Sequence, residues 1–334
     1  MTETHATVGS DTNLGKSLKI PVSAVRFRPR PPYFSGIRNS HGQNFRCCSK
    51  LSAILGLALA LFGAISHFGA VSHAADLTAM TFNVRYAVDR GDLAWEQRLP
   101  RIVEVIRSQA PDVVGVQEAQ HRTLLQLLAA LPEYAATGVP RAEASIHTEI
   151  VAILYRRDRF LVAEAGAFWI SATPDRPGPL KAGPDAPRLT TFARLIDDDG
   201  STFWVYNTHW NVNSLAAREL GAKLLGDHID AQAEPVLVMG DFNATVDAPE
   251  MAALIGSRLV DAGGTNGTYN GFQRPDGSIK IDHVLVRPGT LVARAVVVQD
   301  RPGGRYASDH YPVVVGLTIP TSLPAWYAKL IRPD

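Results

Sequence analysis

An acid and an amide stand one residue apart directly after a short apolar run. The run extends from Pro235 to Met239, Gly240 follows it, and Asp241 and Asn243 come next. Residues i and i+2 of an extended backbone point to the same side, so a buried strand carries both side chains to its C-terminal edge. That edge is where α/β sheets bind ligands, and carboxylate and amide oxygens suit Mg²⁺ or Mn²⁺. The alternative interpretation is a plain turn, because Asp and Asn are ordinary turn residues.

Other strand-like segments carry polar groups of the same kind. Four apolar runs end in them, and one polar turn precedes a further strand: Thr81-Phe82-Asn83, Val116-Gln117-Glu118, Asn207-Thr208-His209-Trp210-Asn211, Ile281-Asp282-His283 and the turn Ser308-Asp309-His310. The sequence contains no Cys/His spacing typical of a zinc site. The groups therefore indicate an oxygen-ligated cation rather than zinc.

Taken in this order, the segments resemble the endonuclease/exonuclease/phosphatase superfamily, over about Leu77 to Leu317. The resemblance implies a DNase I-like fold, a four-layer α/β/β/α sandwich of two packed mixed β-sheets. It also implies a divalent-metal-dependent hydrolase of phosphoester bonds, with Mg²⁺ or Mn²⁺ as the cofactor. Hydrolysis of such a bond requires stabilised charge on the phosphoryl oxygens, a positioned water and a proton for the leaving group.

The resemblance assigns an expected role to each oxygen ligand. Glu118 matches the principal metal carboxylate of the family, Asn83 matches the amide beside that metal, and Asp309 matches a further carboxylate near it. Asp241 matches the acid that orients or deprotonates the attacking water. Asn243 matches the amide that holds a phosphate oxygen or that water.

Two histidines complete the expected site. His310 matches the catalytic imidazole of the family, and Asp282 matches the carboxylate on its other ring nitrogen. His209 matches a second imidazole of the DNase I-like and sphingomyelinase branches, and Glu149 lies where those relatives carry its carboxylate partner. The alternatives are a structural strand histidine and a surface acid.

Hydrophobic periodicity supports the expected architecture only coarsely. Apolar residues at helical spacing predict helices over Trp95–Ala110, Arg122–Leu131 and Leu215–Ala233. Strands are predicted over Leu77–Val84, Asp112–Gln117, Ile150–Tyr155, Phe160–Ile170, Leu189–Leu195, Phe203–Asn207, Pro235–Met239, Ile279–Val286, Leu291–Gln299 and Tyr311–Thr318. Periodicity alone indicates an α/β or α+β fold.

The N-terminal region differs from the body. We predict that residues 1–50, rich in Pro, Ser, Gly and Arg, are disordered, and that residues 51–74 form a signal-peptide core and cleavage region. Ser72-His73-Ala74 fits cleavage after Ala74, which predicts an exported protein; a signal anchor is the alternative. The catalytic domain is predicted over residues 75–318, with a C-terminal tail over 319–334.

The charge of the body and the departures from the family motifs narrow the choice of substrate class only slightly. Residues 1–74 hold eight Lys/Arg and two Asp/Glu, which leaves 25 basic and 30 acidic residues for a mildly acidic body. Such a body does not favour tight nucleic-acid binding. Ala119-Gln120 after Glu118 lacks the Arg of DNase I-like enzymes, so a sphingomyelinase or phospholipase C-like enzyme is favoured over a nuclease.

The substrate class and a non-enzymatic alternative stay open. The substrate is expected to be a nucleic acid, a phospholipid or a small phosphodiester; no protein partner is implied, and we expect a monomer. The rival class is a non-catalytic binding protein on the same sandwich. Such a protein is expected to lose at least one of four groups, Glu118, Asp241, Asn243 or His310, and all four are present.

Overall fold

The computed structural model describes residues 73–142, 147–178 and 186–321, except for the side chains of 73–75 and 320–321. The predictions for residues 1–50, for the apolar run and for most of the C-terminal tail lie outside the described residues. Within them, no helix has the length and apolar character needed to cross a membrane.

The described part of the chain forms twelve strands and three α-helices. The strands are β1 His73–Asn83, β2 Val113–Gln120, β3 Tyr134–Thr137, β4 Glu149–Arg156, β5 Leu161–Trp169, β6 Leu189–Ile196, β7 Thr202–His209, β8 Val236–Asp241, β9 Val260–Asp261, β10 Asp282–Val286, β11 Leu291–Val297 and β12 Val313–Thr321. The helices are α1 Trp95–Gln109, α2 His121–Ala130 and α3 Leu215–Asp230. All three predicted helices are present to within a few residues of their expected ends.

The strands form two six-stranded mixed sheets. The order is β11-β12-β1-β2-β4-β3 in the first sheet and β5-β6-β7-β8-β10-β9 in the second. Each sheet has one parallel pair at its centre, β1 with β2 and β7 with β8, and the other pairs are antiparallel. The two sheets thus share a pattern, and their parallel pairs end at the same kind of polar motif.

Three apolar layers hold the sandwich together. One cluster packs α1 and α2 on the first sheet, a second fills the space between the sheets, and a third packs α3 on the second sheet. Alternate residues of β8 belong to two of these clusters. Leu237 and Met239 face the inter-sheet cluster, whereas Val236 and Val238 face the α3 cluster. The four-layer α/β/β/α sandwich is therefore confirmed.

Two glycines let neighbouring backbone and side-chain atoms come close to the chain near the polar ends of the strands. A Cβ at Gly240 would clash with the carbonyl oxygen of Thr208 on the neighbouring parallel strand. A Cβ at Gly115 would lie 2.9 Å from Asn207 Oδ1 of the other sheet. That amide also receives a hydrogen bond from Gln117 Nε2 at 2.7 Å, so buried polar groups tie the two sheets together beneath the strand ends.

The predicted position of Asp282 in its strand is wrong. Asp282 was expected where an apolar run ends, but it is the first residue of β10. Strand β10 is antiparallel to β8, and Asp282 pairs in register with Asp241. Its N-terminal end therefore reaches the same edge of the sheet as the C-terminal end of β8.

Candidate active site

The site is centred on Asp241, the last residue of β8. Its register partner on the parallel strand β7 is His209, and its partner on the antiparallel strand β10 is Asp282. All three side chains are buried. Pairing register therefore places an acid, an imidazole and a second acid side by side across one edge of the second sheet.

The first sheet contributes to the same point through Asn83 at the end of β1. Asn83 Nδ2 donates to Asp241 Oδ2 at 3.0 Å and to Glu118 Oε1 at 3.1 Å. The other carboxylate oxygen of Asp241 accepts from the backbone N–H of Asn243 at 3.0 Å, and Asn243 Nδ2 donates to the carbonyl of Trp210 at 3.1 Å. Both oxygens of Asp241 are thus held in place by donors from two sheets.

The structure corrects the predicted position of Glu118. Instead of ending the strand, Glu118 lies in a bulge, where the register between β2 and β4 shifts between Val116 and Ala119. Its φ of 64° is in the left-handed region, which is uncommon for a residue with a Cβ. Asn243 has a similar φ of 49°. Such strained backbone is concentrated at functional sites, and here it turns both side chains toward the shared edge.

Glu118, Asn83 and Asp309 form an oxygen-rich group at the end of the first sheet. Glu118 Oε2 accepts from the N–H of Tyr86 at 2.8 Å, and Asp309 Oδ2 lies 3.4 Å from Arg85 Nη1. Burial raises the pKa of Asp309, and the negative charge of Glu118 adds to this, although His310 and Arg85 oppose it. A buried carboxylate whose pKa is raised beside a second carboxylate fits a position for a divalent cation.

His310 and Asp282 form a buried pair on one side of Asp241. His310 Nδ1 lies 2.8 Å from Asp282 Oδ2, and His310 Nε2 lies 3.8 Å from Asp241 Oδ2. Burial alone would lower the pKa of His310, but the charges of Asp282 and Asp241 raise it well above 6.5. The imidazole is therefore suited to hold a proton at neutral pH.

His209 and Glu149 form a second buried pair on the other side of Asp241. His209 Nε2 lies 3.6 Å from Asp241 Oδ2, and His209 Nδ1 lies 2.9 Å from Glu149 Oε1. Arg141 Nη2 also lies 2.8 Å from His209 Nδ1 and forms an ion pair with Glu149 Oε2. Burial opposes ionisation of Glu149, yet the charge of Arg141 and the contact with His209 lower its pKa to about 2.

Two sets of residues could hold a cation. Ligand atoms of Asp241, Asp282 and His310 lie within 4.8 Å of one another. In that set, however, Asp282 Oδ2 is already bonded to an imidazole whose raised pKa favours the protonated form, and protonated nitrogens do not bind metals. The oxygen-only group of Glu118, Asn83 and Asp309 fits Mg²⁺ or Mn²⁺ better.

The structure brings together all nine residues that the sequence singles out: Asn83, Glu118, Glu149, His209, Asp241, Asn243, Asp282, Asp309 and His310. Sequence reasoning missed Arg141 and Arg188, which lie beside Glu149. Each follows a proline, Pro140 or Pro187. That signal does not distinguish them from an exposed loop arginine.

The chain matches the model of the endonuclease/exonuclease/phosphatase family over residues 80–310. This span contains all nine site residues, the central strands β2, β7 and β8, and the C-terminal end of β1. The chain belongs to that family. Its members are hydrolases of phosphoric esters, and the family fold is the sandwich described above.

Solved structures of family members are similar to this chain over most of their length. An endonuclease/exonuclease/phosphatase family protein of Bacteroides thetaiotaomicron is 30% identical, with a TM-score of 0.67 over 74% of this chain and 99% of that chain. A mannosyl-6-phosphatase of the same organism is also 30% identical, with a TM-score of 0.66 over 72% of this chain and 99% of that chain.

A viral relative is more distant. The uncharacterized protein L388 of Acanthamoeba polyphaga mimivirus is 26% identical over 169 residues, which is 45% of this chain and 59% of the relative. The match thus spans less than two thirds of the length of that curated protein.

Proposed function

We propose that this protein is a divalent-metal-dependent hydrolase of phosphoric esters, with Asp241 as the residue that orients and deprotonates the attacking water. The proposal rests on the groups that surround one oxygen atom, Asp241 Oδ2. It accepts from Asn83, and the Nε2 atoms of His209 and His310 lie 3.6 and 3.8 Å from it. A carboxylate between two imidazoles can take a proton while neighbouring groups supply one.

The metal would be held by Glu118, Asn83 and Asp309. All three offer oxygen atoms, and the raised pKa of Asp309 reflects burial beside a like charge that a cation would relieve. When bound, Mg²⁺ or Mn²⁺ would supply Lewis-acid stabilisation of charge on the phosphoryl oxygens. Hydrolysis measured with each of the two ions distinguishes Mg²⁺ from Mn²⁺.

The protein's own groups account for the proton transfers. As the water oxygen forms its bond to phosphorus, Asp241 accepts a proton from that water, and Asn243 holds a phosphoryl oxygen with its free amide hydrogen. As the phosphorus–oxygen ester bond breaks, His310 donates its Nε2 proton to the leaving oxygen. Asp282, bonded to Nδ1, keeps the ring oriented for that transfer.

The test is hydrolysis of bis(p-nitrophenyl) phosphate and p-nitrophenyl phosphate with Mg²⁺ or Mn²⁺, with and without EDTA. Glu118→Gln should lower turnover by about 10²-fold or more and weaken metal binding measured by calorimetry. The control Glu96→Gln removes an exposed carboxylate of α1 and should change neither. Undiminished turnover in EDTA would contradict metal dependence.

A substrate panel separates the branches of the family. Mannose 6-phosphate belongs in it because a relative that is 30% identical is a mannosyl-6-phosphatase. Sphingomyelin and plasmid DNA test the two branches weighed from the sequence. A protein that hydrolyses none of these and still binds a phosphoester would be a non-catalytic binding protein.

Export is a separate part of the proposal. It is supported by Lys50, the apolar run from Leu51 to Ile65 and the residues before Ala75. Cleavage after Ala74 would leave β1 to begin at Ala75, which pairs with Ile319 of β12. Mass spectrometry of the native protein should find Ala75 at the N-terminus. A full-length chain retained in the membrane would support the anchor instead.

A further inference from the structure

Two arginines reach the site from neighbouring irregular segments. The carbonyl of Arg141 accepts from Trp169 Nε1 at 2.7 Å, and the carbonyl of Arg188 accepts from the N–H of Ile170 at 2.8 Å. A β-bridge joins the residue after Arg141 to Gly178, which packs against the proline before Arg188. Both backbones are thus fixed beside the end of β5.

The side chains of the two arginines differ in their partners. Arg141 is bound by Glu149 and His209. Arg188 takes part in none of the side-chain hydrogen bonds or ion pairs of the described residues, and its Nε and Nη1 are shielded from solvent without a hydrogen-bond acceptor. One carboxylate therefore faces two guanidiniums, and the second positive charge has no counter-ion of its own.

Leaving such a group unpaired is costly, which indicates that a ligand supplies the missing partner. Burial, and then the positive charge of Arg141, lower the pKa of Arg188 to about 10. Arg188 directly precedes Leu189 of β6, whose carbonyl accepts from Thr208 Oγ1 at 3.3 Å, and the next residue of β7, His209, pairs with Asp241. Arg188 therefore belongs to the edge of the second sheet that carries the site, and the negative charge of Asp241 acts on its guanidinium. Buried donors without an acceptor are rare in folded proteins and are often explained by an absent ligand.

The other donors at this position are mostly committed. Asn83 Nδ2 gives its hydrogens to Glu118 Oε1 and Asp241 Oδ2. Asn243 Nδ2 gives one of its two hydrogens to the carbonyl of Trp210. The Nε2 proton of His310 goes to the leaving oxygen, so one amide hydrogen of Asn243 and the Nε2 atom of His209 are left, and these two match the two non-bridging oxygens of a diester. A third non-bridging oxygen requires a further donor.

We propose that Arg188 binds the third non-bridging oxygen of a terminal phosphate, so that the substrate class is a phosphomonoester. This rests on the proposed function and narrows it. A monoester carries close to two negative charges at neutral pH, one more than a diester, and has one more free oxygen. A charged guanidinium supplies a positive charge for the additional negative charge and a strong hydrogen-bond donor for the additional oxygen. In a diester, that oxygen carries a carbon substituent and accepts no such bond.

The experiment compares three variants. Arg188→Gln removes the charge, Arg188→Lys retains a charge without the planar donors, and Arg107→Gln removes an exposed arginine of α1 as the matched control. Binding of inorganic phosphate is measured by calorimetry, with metal-free and Mg²⁺-loaded protein. The kcat/KM values are measured for p-nitrophenyl phosphate and bis(p-nitrophenyl) phosphate.

Arg188→Gln should weaken phosphate binding by about tenfold to a hundredfold, the range of one charge-assisted hydrogen bond. It should lower kcat/KM for the monoester by at least about tenfold more than for the diester. Arg188→Lys should recover part of both losses, and Arg107→Gln should change neither. Unchanged phosphate affinity, or equal losses on the two substrates, would overturn the proposal.

A measurement on the unaltered chain covers the case in which Arg188→Gln does not fold. Phenylglyoxal modification of each arginine is mapped by peptide mass spectrometry with and without inorganic phosphate. Phosphate should protect Arg188 and leave Arg107 unprotected; equal rates at Arg188 would overturn the proposal. A wild-type protein that binds phosphate through Arg188 but hydrolyses neither ester would instead contradict the proposed function alone.

Discussion

The two histidine–carboxylate pairs of the site have the same chemical groups, an imidazole and a carboxylate, but they differ in whether a third charged group contacts them. His310 and Asp282 are joined at 2.8 Å, and Asp282 forms no ion pair with an arginine among the described residues. His209 and Glu149 are joined at 2.9 Å, and Arg141 contacts both of them. One pair is therefore balanced by an imidazole alone and the other by a guanidinium.

This difference teaches that a third charge decides what such a pair can do. The charge of Asp282 is available to its imidazole, and the pKa of His310 is raised well above 6.5. The charge of Glu149 is shared with Arg141, a group that cannot lose its proton, and the pKa of Glu149 falls to about 2. The first pair is suited to proton donation, and the second is suited to holding a ring in position.

The largest effect is expected from removing the proton-donating imidazole. His310→Ala should lower kcat on bis(p-nitrophenyl) phosphate by about 10³-fold, because the leaving oxygen loses its acid and the phosphate loses a charge. His228→Ala is the control, since this half-buried histidine stacks on Phe168 away from the site. A kcat within about threefold of wild type would remove His310 from the mechanism.

The next prediction compares the two carboxylates by stability. Glu149→Gln should lower the free energy of unfolding by about 3 kcal/mol, because it leaves Arg141 charged and buried. Asp282→Asn should cost about 1 kcal/mol, because His310 can lose its proton when its partner is neutralised. Urea denaturation at pH 7 measures both. Equal losses would show that the third charge does not distinguish the pairs.

Wild type and Glu149→Gln should also differ in how their stability changes in acid. The pKa of Glu149 is about 2 in the folded protein against an ordinary value of 4.5, so its ionised form favours folding. That stabilisation is fully present above about pH 4.5 and is lost as the pH falls toward 2. Wild type should therefore lose more stability than Glu149→Gln between pH 5 and pH 3. Parallel losses would contradict the low pKa.

A smaller loss of activity is expected at the second imidazole. His209→Ala should lower kcat by about 10²-fold, since its Nε2 also faces Asp241 Oδ2 but its ring is held by Arg141 and Glu149. In the double variant with His310→Ala, the loss should be less than the product of the single losses, because both groups act on one phosphate. A near-normal kcat on several phosphoesters would make His209 and Glu149 structural residues.

The smallest loss is expected from Asp282→Asn, which removes a charge but leaves His310 in place. We expect kcat to fall by about tenfold. The raised pKa keeps His310 protonated at neutral pH, so activity should fall only as the pH rises through that raised value. Loss of the Asp282 charge lowers this pKa, and the basic limb of the pH–rate profile should move to lower pH. An unshifted limb would show that another group titrates.

Local patterns in the sequence predict those parts of the fold and site that depend on one segment at a time. Periodicity and Pro132 predict α2, and the apolar run before Gly240 predicts β8 with Asp241 at its edge, because burial and hydrogen bonding constrain each segment separately. The ordered motifs predict the family and all nine site residues. The expected roles of these residues stay predictions.

The tertiary structure decided three features that no single segment encodes. The bulge at Glu118 depends on the partner strand, since an extra residue is defined only by the register of its neighbour. Asp282 reaches Asp241 from the start of its strand because β10 is antiparallel to β8.

The arginines are the third feature. The sequence by itself determined the family and the set of residues that meet at Asp241, because both follow from local motifs and their order along the chain. The sandwich followed from the resemblance to that family and not from periodicity. Only the tertiary structure placed Arg141 and Arg188 beside one carboxylate, although 47 positions separate them in the sequence. The physical reason is that electrostatic balance is a property of distances in space, and neither residue's own segment specifies its distance from the other.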